Sequence, residues 1–158
     1  DFEWATKTED RTRLWQARYE AYPACRQLRP GNRAFSTDVC VPISRLAECI
    51  AESNADIAKA SMPVAIVGHV GDGNFHCSLV CDVDNAEEMA RGEDFMHRLV
   101  ERAQAMGGTC TGEHGIGQGK QKYLKAELGS EAIEAMRAVK AALDPQNIFN
   151  PGKILPPV

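Results

Sequence analysis

The sequence predicts an α+β domain organised around an antiparallel pair of strands. The first observation is the run Val64-Ala65-Ile66-Val67, followed after a Gly71-Asp72-Gly73-Asn74 turn by a second strand-like run, Phe75 to Cys81. Apolar runs on either side of a glycine-bearing turn mark a hairpin. The second is helical periodicity on both sides of that hairpin: Leu46, Ile50 and Ile57 before it, Met96, Leu99, Ala103 and Met106 after it. The third is size. At 158 residues with 44% hydrophobic content, the chain can bury one core.

Composition excludes several classes of function. A formal charge of −4 and a pI near 5.6 lack the basic footprint of a nucleic-acid partner. No apolar run reaches the length of a membrane span, and no basic-then-apolar leader opens the chain. The first residues, Asp1-Phe2-Glu3-Trp4, include no methionine, and the chain is expected to be a fragment of a longer one. Cys25, Cys40, Cys49, Cys77, Cys81 and Cys110 form no Cys-x-x-Cys pair. They lack zinc-ribbon spacing and read as reduced, buried thiols of an intracellular protein.

Taken in order, Thr6 and Glu9 have capping-box spacing at the start of a helix that carries Leu14, Ala17, Arg18, Ala21 and Tyr22 near one face. Pro23 should kink or end it. Arg18 beside an apolar stripe has two readings: an aliphatic stem on the core with its head in water, or a guanidinium aimed at an anion. Spacing alone favours the first. Ala34 to Val41 reads as a strand with Val39 and Val41 on one face. Ser44 can cap a helix running to about Ala60. After the hairpin, Asp82-Val83-Asp84-Asn85 resembles a calcium loop only superficially, because Ala86 and Glu87 stand where an oxygen ligand and a glycine are needed. Asp84 instead caps a helix, with Glu87 at capping-box spacing and Gly92 a candidate break. Gly107-Gly108 ends it. A short helix from Gln121 to Leu128 stops at Gly129. Ser130 then opens another with Ile133, Met136, Val139 and Leu143 inward, and Asp144-Pro145 begins a last turn.

Between the last helices lies Thr111-Gly112-Glu113-His114-Gly115-Ile116-Gly117-Gln118-Gly119-Lys120. Neither the Walker pattern nor the dinucleotide fingerprint fits it. What remains is a backbone that turns sharply or approaches something closely, presenting Glu113 and His114. Two imidazoles, His69 and His76, with the carboxylate of Glu113 would make an open metal site suited to zinc, manganese or iron. The same histidines fit a polar surface or hydrogen-bonded core equally well by spacing. Asp72 and Asn74 are also ordinary turn residues. A hydrolytic His, His, Glu site and a stand-alone metal-binding or interaction module remain alternatives at this level.

The segments LWQARYEAY, STDVCVPISRL, GHVGDGNFHCSLV, TGEHGIGQGK and DPQNIFNPGKI, in this order, resemble the C-terminal part of the FAD-linked 2-hydroxyacid dehydrogenases of the vanillyl-alcohol-oxidase type. The resemblance runs from about Phe2 to Leu155 and is nearest the cytochrome-type D-lactate dehydrogenases, with glycolate oxidases and D-2-hydroxyglutarate dehydrogenases as relatives. It implies a ferredoxin-like antiparallel sheet with packed helices and a helical C-terminal segment. Residues 1–158 would then be the substrate-side domain, with the flavin-binding domain outside this stretch. It further implies His69, His76 and Glu113 as ligands of a divalent metal (zinc or manganese), His114 as catalytic base, and Arg18 as the group binding the substrate carboxylate. Asn74 would line the substrate site and Asn150 the flavin edge. Ser36 and Ser78 stand where relatives acting on a five-carbon diacid carry Lys and Asn, which favours a short monoacid such as D-lactate or glycolate. FAD would take the hydride and pass electrons to a cytochrome, a quinone or an electron-transfer flavoprotein. The implied location is the cytoplasm, with peripheral membrane association, in a bacterium and the mitochondrion in a eukaryote. A monomeric or a homodimeric parent fits equally.

Overall fold

In the computed structural model, which describes residues 4–157, the chain forms helix α1 (Thr8–Arg26), strands β1 (Arg33–Ser36) and β2 (Val39–Cys40), and helix α2 (Ile43–Ile57). The hairpin β3 (Val64–His69) and β4 (Asn74–Cys81) follows, then helices α3 (Ala86–Ala105) and α4 (Gln121–Leu143). The outermost residues of the expected 1–158 domain lie outside the described ones. β4 is buried along its whole length because it is the central strand. β3 pairs with one edge, and β1 and β2 pair with the other, all antiparallel. Ser36 faces Ser78 and Val39 faces Phe75 in one unbroken register. The strand expected over Ala34–Val41 is therefore interrupted only at Thr37-Asp38. An isolated antiparallel bridge from Cys40 to Thr109 stands where a further edge strand would run. Two strand–helix–strand units with α2 and α3 as crossovers make this the ferredoxin-like arrangement, its last strand reduced to one bridge.

Alternation along β4 divides the molecule. Phe75, Cys77, Leu79 and Cys81 face α2 and α3 and join Leu46, Cys49, Phe95 and Leu99 in the core. Fully burying each large side chain of this cluster contributes about 1.5–3 kcal/mol. Asn74, His76 and Ser78 face the other way, under α1, and this is the face that carries chemistry. The hairpin turn is locked in place: Gly73 has φ +75°, and a Cβ there would stand 2.1 Å from the carbonyl oxygen of Val41. The six cysteines are unpaired, five buried and Cys40 half-buried.

Several local expectations give way. α1 begins after Lys7 with no side-chain cap, so the Thr6–Glu9 box does not form, and the helix passes through Pro23 for three further residues. α2 starts after Pro42, also without a side-chain cap, so Ser44 lies inside it. At α3 the capping residue is Asn85, whose side chain accepts from the Glu88 N–H. The Glu88 carboxylate is committed to Arg29 at 2.6 Å. Gly92 does not break α3. It sits over Cys81, where an added Cβ would come into ordinary contact with Sγ at 3.4 Å. α4 is interrupted at Gly129 (φ +80°, ψ 166°) as expected, but Val139 and Leu143 are 59% and 77% exposed rather than inward.

α2 and α3 are held to each other by a half-buried ion network. Asp56 accepts from Arg98 at 2.9 and 3.0 Å and from Arg102 at 3.3 Å. Burial pushes the Asp56 carboxyl up, but its hydrogen bonds and the two guanidinium charges outweigh that and hold it below its ordinary value. A carboxyl lowered on folding stabilises the fold above its unfolded value of about 3.9 and loses that contribution as pH falls through the lowered value. Asp56→Asn is expected to cost about 1–3 kcal/mol at pH 7, between the limits for exposed and buried pairs. In urea denaturation the deficit should shrink as pH falls below the unfolded carboxyl value.

Candidate metal and active site

The two predicted histidines reach one cavity from neighbouring strands. His69 ends β3 opposite Asn74, while His76 stands on β4 opposite Val67. They are diagonal neighbours on the face under α1, with ring centroids 5.6 Å apart and planes perpendicular. Glu113, from the glycine-rich loop, places Oε1 3.2 Å from Nε2 of His69 and 3.2 Å from Nε2 of His76. The three ligand atoms converge within 4.8 Å of one another.

The protonation pattern follows from one break in the sheet ladder. Thr37 N–H donates to the Cys77 carbonyl at 2.9 Å. The return bond from Cys77 N–H goes to the Thr37 hydroxyl at 2.8 Å instead of its carbonyl. The freed carbonyl of Thr37 lies 2.9 Å from His76 Nδ1. A carbonyl only accepts, so Nδ1 donates and Nε2 keeps a lone pair in the neutral ring. That lone pair faces a carboxylate oxygen, another acceptor. Two acceptors at this distance require a cation between them, a proton or a metal ion. Two imidazoles and one carboxylate, one ring fixed by a backbone carbonyl behind it, are the donor set of an open divalent-metal site.

His114 stacks on His76, with centroids 5.0 Å apart and planes 13° from parallel. Its backbone is set by Asp38, a residue that sequence reasoning passed over. Asp38 is buried on the site face opposite His76. Its carboxylate accepts from three successive backbone N–H groups, Gly112 at 2.9 Å, Glu113 at 3.1 Å and His114 at 2.8 Å. The Thr111 hydroxyl donates to it at 2.7 Å and the Asn74 amide at 2.8 Å. Burial pushes this carboxyl up, but those donors and the nearby Lys120 ammonium hold it well below the usual carboxylate range. Lys120 itself donates to the Asp38 carbonyl at 2.7 Å, and burial lowers its pKa. The loop can approach this closely only through a glycine: a Cβ on Gly112 would stand 1.9 Å from the Asn74 amide nitrogen. The available signal was an acidic residue inside an apolar strand, which must find donors.

Arg18 lies over His69, its Nη2 3.2 Å from Nε2. Arg18 is exposed, and among the described residues no carboxylate pairs with it. Together with Tyr22, Ser36, Val67, Ser78 and His114, these groups line a cleft of about 430 Å³. Asn74 is not on its wall. Its amide donates below the site to Asp38 and to the Val39 carbonyl, and its buried Oδ1 has no partner among the described residues. Asn150 is not brought to the cleft either. It has φ +47° and borders a separate apolar groove with Met136, Val139 and Phe149.

The sequence matches the family described as FAD linked oxidases, C-terminal domain, over residues 1–154. It is 55% identical over 155 residues to a probable mitochondrial D-lactate dehydrogenase of Danio rerio, covering 98% of this chain and 31% of that protein. It is 46% identical to the mitochondrial D-lactate dehydrogenase [cytochrome] of Arabidopsis thaliana, covering 99% of this chain and 28% of that one. It is 41% identical to glycolate oxidase subunit GlcD of Bacillus subtilis, covering 95% and 32%. The chain spans about three tenths of the length of these curated relatives. The match takes in α1, the hairpin and the glycine-rich loop alike, and the chain belongs to the FAD-linked oxidase C-terminal domain family.

Proposed function

We propose that this domain forms the substrate side of an FAD-dependent dehydrogenase that oxidises a short D-2-hydroxy acid, D-lactate or glycolate, to its 2-oxo acid. The reading rests above all on Glu113 Oε1 standing 3.2 Å from Nε2 of both His69 and His76, beside an arginine and a stacked imidazole. His69, His76 and Glu113 would hold a divalent ion, zinc or manganese, which when bound supplies Lewis acidity and acidifies a hydroxyl group. The flavin, held by a domain outside this stretch, supplies the two-electron acceptor. Glu113 and His114 stay about half exposed at the cleft, 52% and 48%, which leaves that side accessible to a group from outside.

The chain's own residues bind, orient and move one proton. The Arg18 guanidinium binds the substrate carboxylate and fixes which face of the α carbon is offered. A neutral imidazole nitrogen of His114 accepts the hydroxyl proton as the α hydrogen leaves with its electron pair. Ser36 and Ser78 close the far wall with hydroxyls 3.5 Å apart. Arg18 is the only Lys or Arg among the described residues lining the cleft. A second substrate carboxylate would find no second cationic side chain among them, which supports a monoacid. Asn74 serves from beneath through Asp38, and Asn150, outside the cleft, would meet the flavin, as the resemblance implies. The names of the Danio and Arabidopsis relatives support a mitochondrial location for a eukaryotic parent, and the latter a cytochrome as electron acceptor. No helix among the described residues is long and apolar enough to cross a membrane.

The test is anaerobic flavin reduction in the full-length protein. D-lactate or glycolate is expected to bleach the flavin, and bleaching by D-2-hydroxyglutarate alone would sink the monoacid reading. Arg18→Lys keeps the charge but loses the planar fork. It is expected to raise the KM for the preferred acid about 10–100-fold, the worth of one charge-assisted hydrogen bond. An unchanged KM would remove Arg18 from substrate binding.

A further inference from the structure

The segments carrying His76, Glu113 and His114 meet at one buried side chain. Asp38, immediately before β2, stands beside His76, its Oδ1 3.7 Å from His76 Nδ1. The neighbouring Thr37 carbonyl receives the His76 Nδ1 proton. Asn74, two residues before His76, donates its amide to Oδ1. On the other side, the Thr111 hydroxyl and the N–H groups of Gly112, Glu113 and His114 close on Oδ2. Successive backbone N–H groups wrapped around an anion form a nest, and here the anion is part of the chain. Glu113 is itself half exposed, so little packing holds it. Its position relative to the two histidines is fixed through its own backbone N–H, and therefore through Asp38.

We propose that Asp38 is a positioning residue for this site: its carboxylate pins the Gly112–His114 backbone to the strand bearing His76, and so sets where the third metal ligand and the base stand. The proposal deepens, and rests on, the reading of His69, His76 and Glu113 as ligands. Asp38 lies outside the His69, His76 and Glu113 set and acts through the segments that carry His76 and Glu113. Outer-shell partners of this kind typically govern 10–100-fold in affinity or activity. Asp38→Asn keeps the shape but brings one NH2 group into a cluster dominated by donors, the Asn74 amide and three backbone N–H groups. Either orientation of the amide sets donor against donor: toward the Asn74 amide, or toward the three loop N–H groups, where the Thr111 hydroxyl alone can turn to accept. The loop should then lose its anchor while the β3–β4 hairpin stays.

Mn2+ titration of the metal-stripped, flavin-loaded full-length protein tests this, followed by electron paramagnetic resonance. Asp38→Asn is expected to weaken Mn2+ binding about 10–100-fold and to lower kcat with D-lactate by a similar factor. Thr111→Val removes one hydroxyl donor and keeps the β-branched shape, so it should weaken Mn2+ binding by a smaller factor in the same direction. It carries the test if Asp38→Asn fails to fold. Asp56→Asn serves as the control, losing stability through the α2–α3 pair without moving Mn2+ affinity. Unchanged Mn2+ affinity in a folded Asp38→Asn overturns the positioning role, as does unchanged affinity in Thr111→Val where Asp38→Asn does not fold. An equal loss in Asp56→Asn overturns it too, by assigning the effect to general destabilisation. Wild-type protein that binds no Mn2+ overturns the ligand reading itself, and the positioning role with it.

Discussion

Glu113→Gln in the full-length protein is expected to raise the dissociation constant of the divalent metal more than about 100-fold, beyond the range typical of outer-shell changes. It should also lower kcat/KM about 1,000-fold or more, the equivalent of several kcal/mol of lost electrostatic stabilisation. The substitution is nearly isosteric, and Glu113 is half exposed, so the fold has little reason to respond. What changes is charge. The carboxylate oxygen stands 3.2 Å from two imidazole nitrogens, and the His76 Nδ1 contact with the Thr37 carbonyl leaves one of those nitrogens as an acceptor. A glutamine could turn its NH2 toward that lone pair and satisfy it with no cation at all. The substitution therefore removes both a ligand and the electrostatic reason for an ion to be there. Metal content by elemental analysis and an affinity titration are the measurements. A variant that keeps both its metal and its turnover would show that Glu113 is not a ligand and that the histidine pair is completed otherwise.

The hairpin was legible because two local signals coincided, strand-like runs on both sides and a glycine turn between them. Its spacing also decides that the histidines share a face: His69 at the end of β3 and His76 two places into β4 become diagonal neighbours once the turn closes at Gly73. α3 was legible for the same reason, since Leu99, Ala103 and Met106 repeat at helical spacing and all are buried. The same logic misled at α4. Periodicity says that Ile133, Met136, Val139 and Leu143 share a face, but not what covers it. Ile133 reaches the core while Leu143 is 77% exposed. Capping was misread at three helices because Thr6, Ser44 and Asp84 have the right chemistry, yet the chain enters each helix one or two residues away.

Most of the site's support was out of reach of local reasoning. The bonds from Asp38 to Thr111, Gly112, Glu113 and His114 span 73 to 76 residues. No periodicity links residues that far apart. The glycines of the loop signalled a close approach without saying to what. Gly112 supplies the answer, since its backbone rests on the Asn74 amide. Asn74 illustrates the converse. Its place in the hairpin marked an ordinary turn residue and the family resemblance implied one lining the substrate site, whereas its amide turns inward to Asp38.

His114→Ala is expected to leave the full-length protein with its yellow flavin and its metal but to slow flavin reduction by D-lactate about 100–10,000-fold, the usual contribution of a positioned general base. The geometry separates these outcomes. The His114 backbone N–H, which Asp38 holds at 2.8 Å, survives the change, so Glu113 should keep its place. The imidazole it removes stacks on His76 at 5.0 Å and is not one of the three proposed ligands. Its side chain is 48% exposed, so the vacated space opens to solvent and a soluble base can enter. Added imidazole should therefore restore part of the rate in His114→Ala, saturably, and do nothing for Glu113→Gln, whose defect is not a missing proton acceptor. Rescue tied to the base separates His114 from a residue that merely shapes the cleft, because filling a void would not depend on the rescuing amine being unprotonated. Bleaching by D-lactate at the wild-type rate would remove His114 from the mechanism and leave the proton to another group at the cleft.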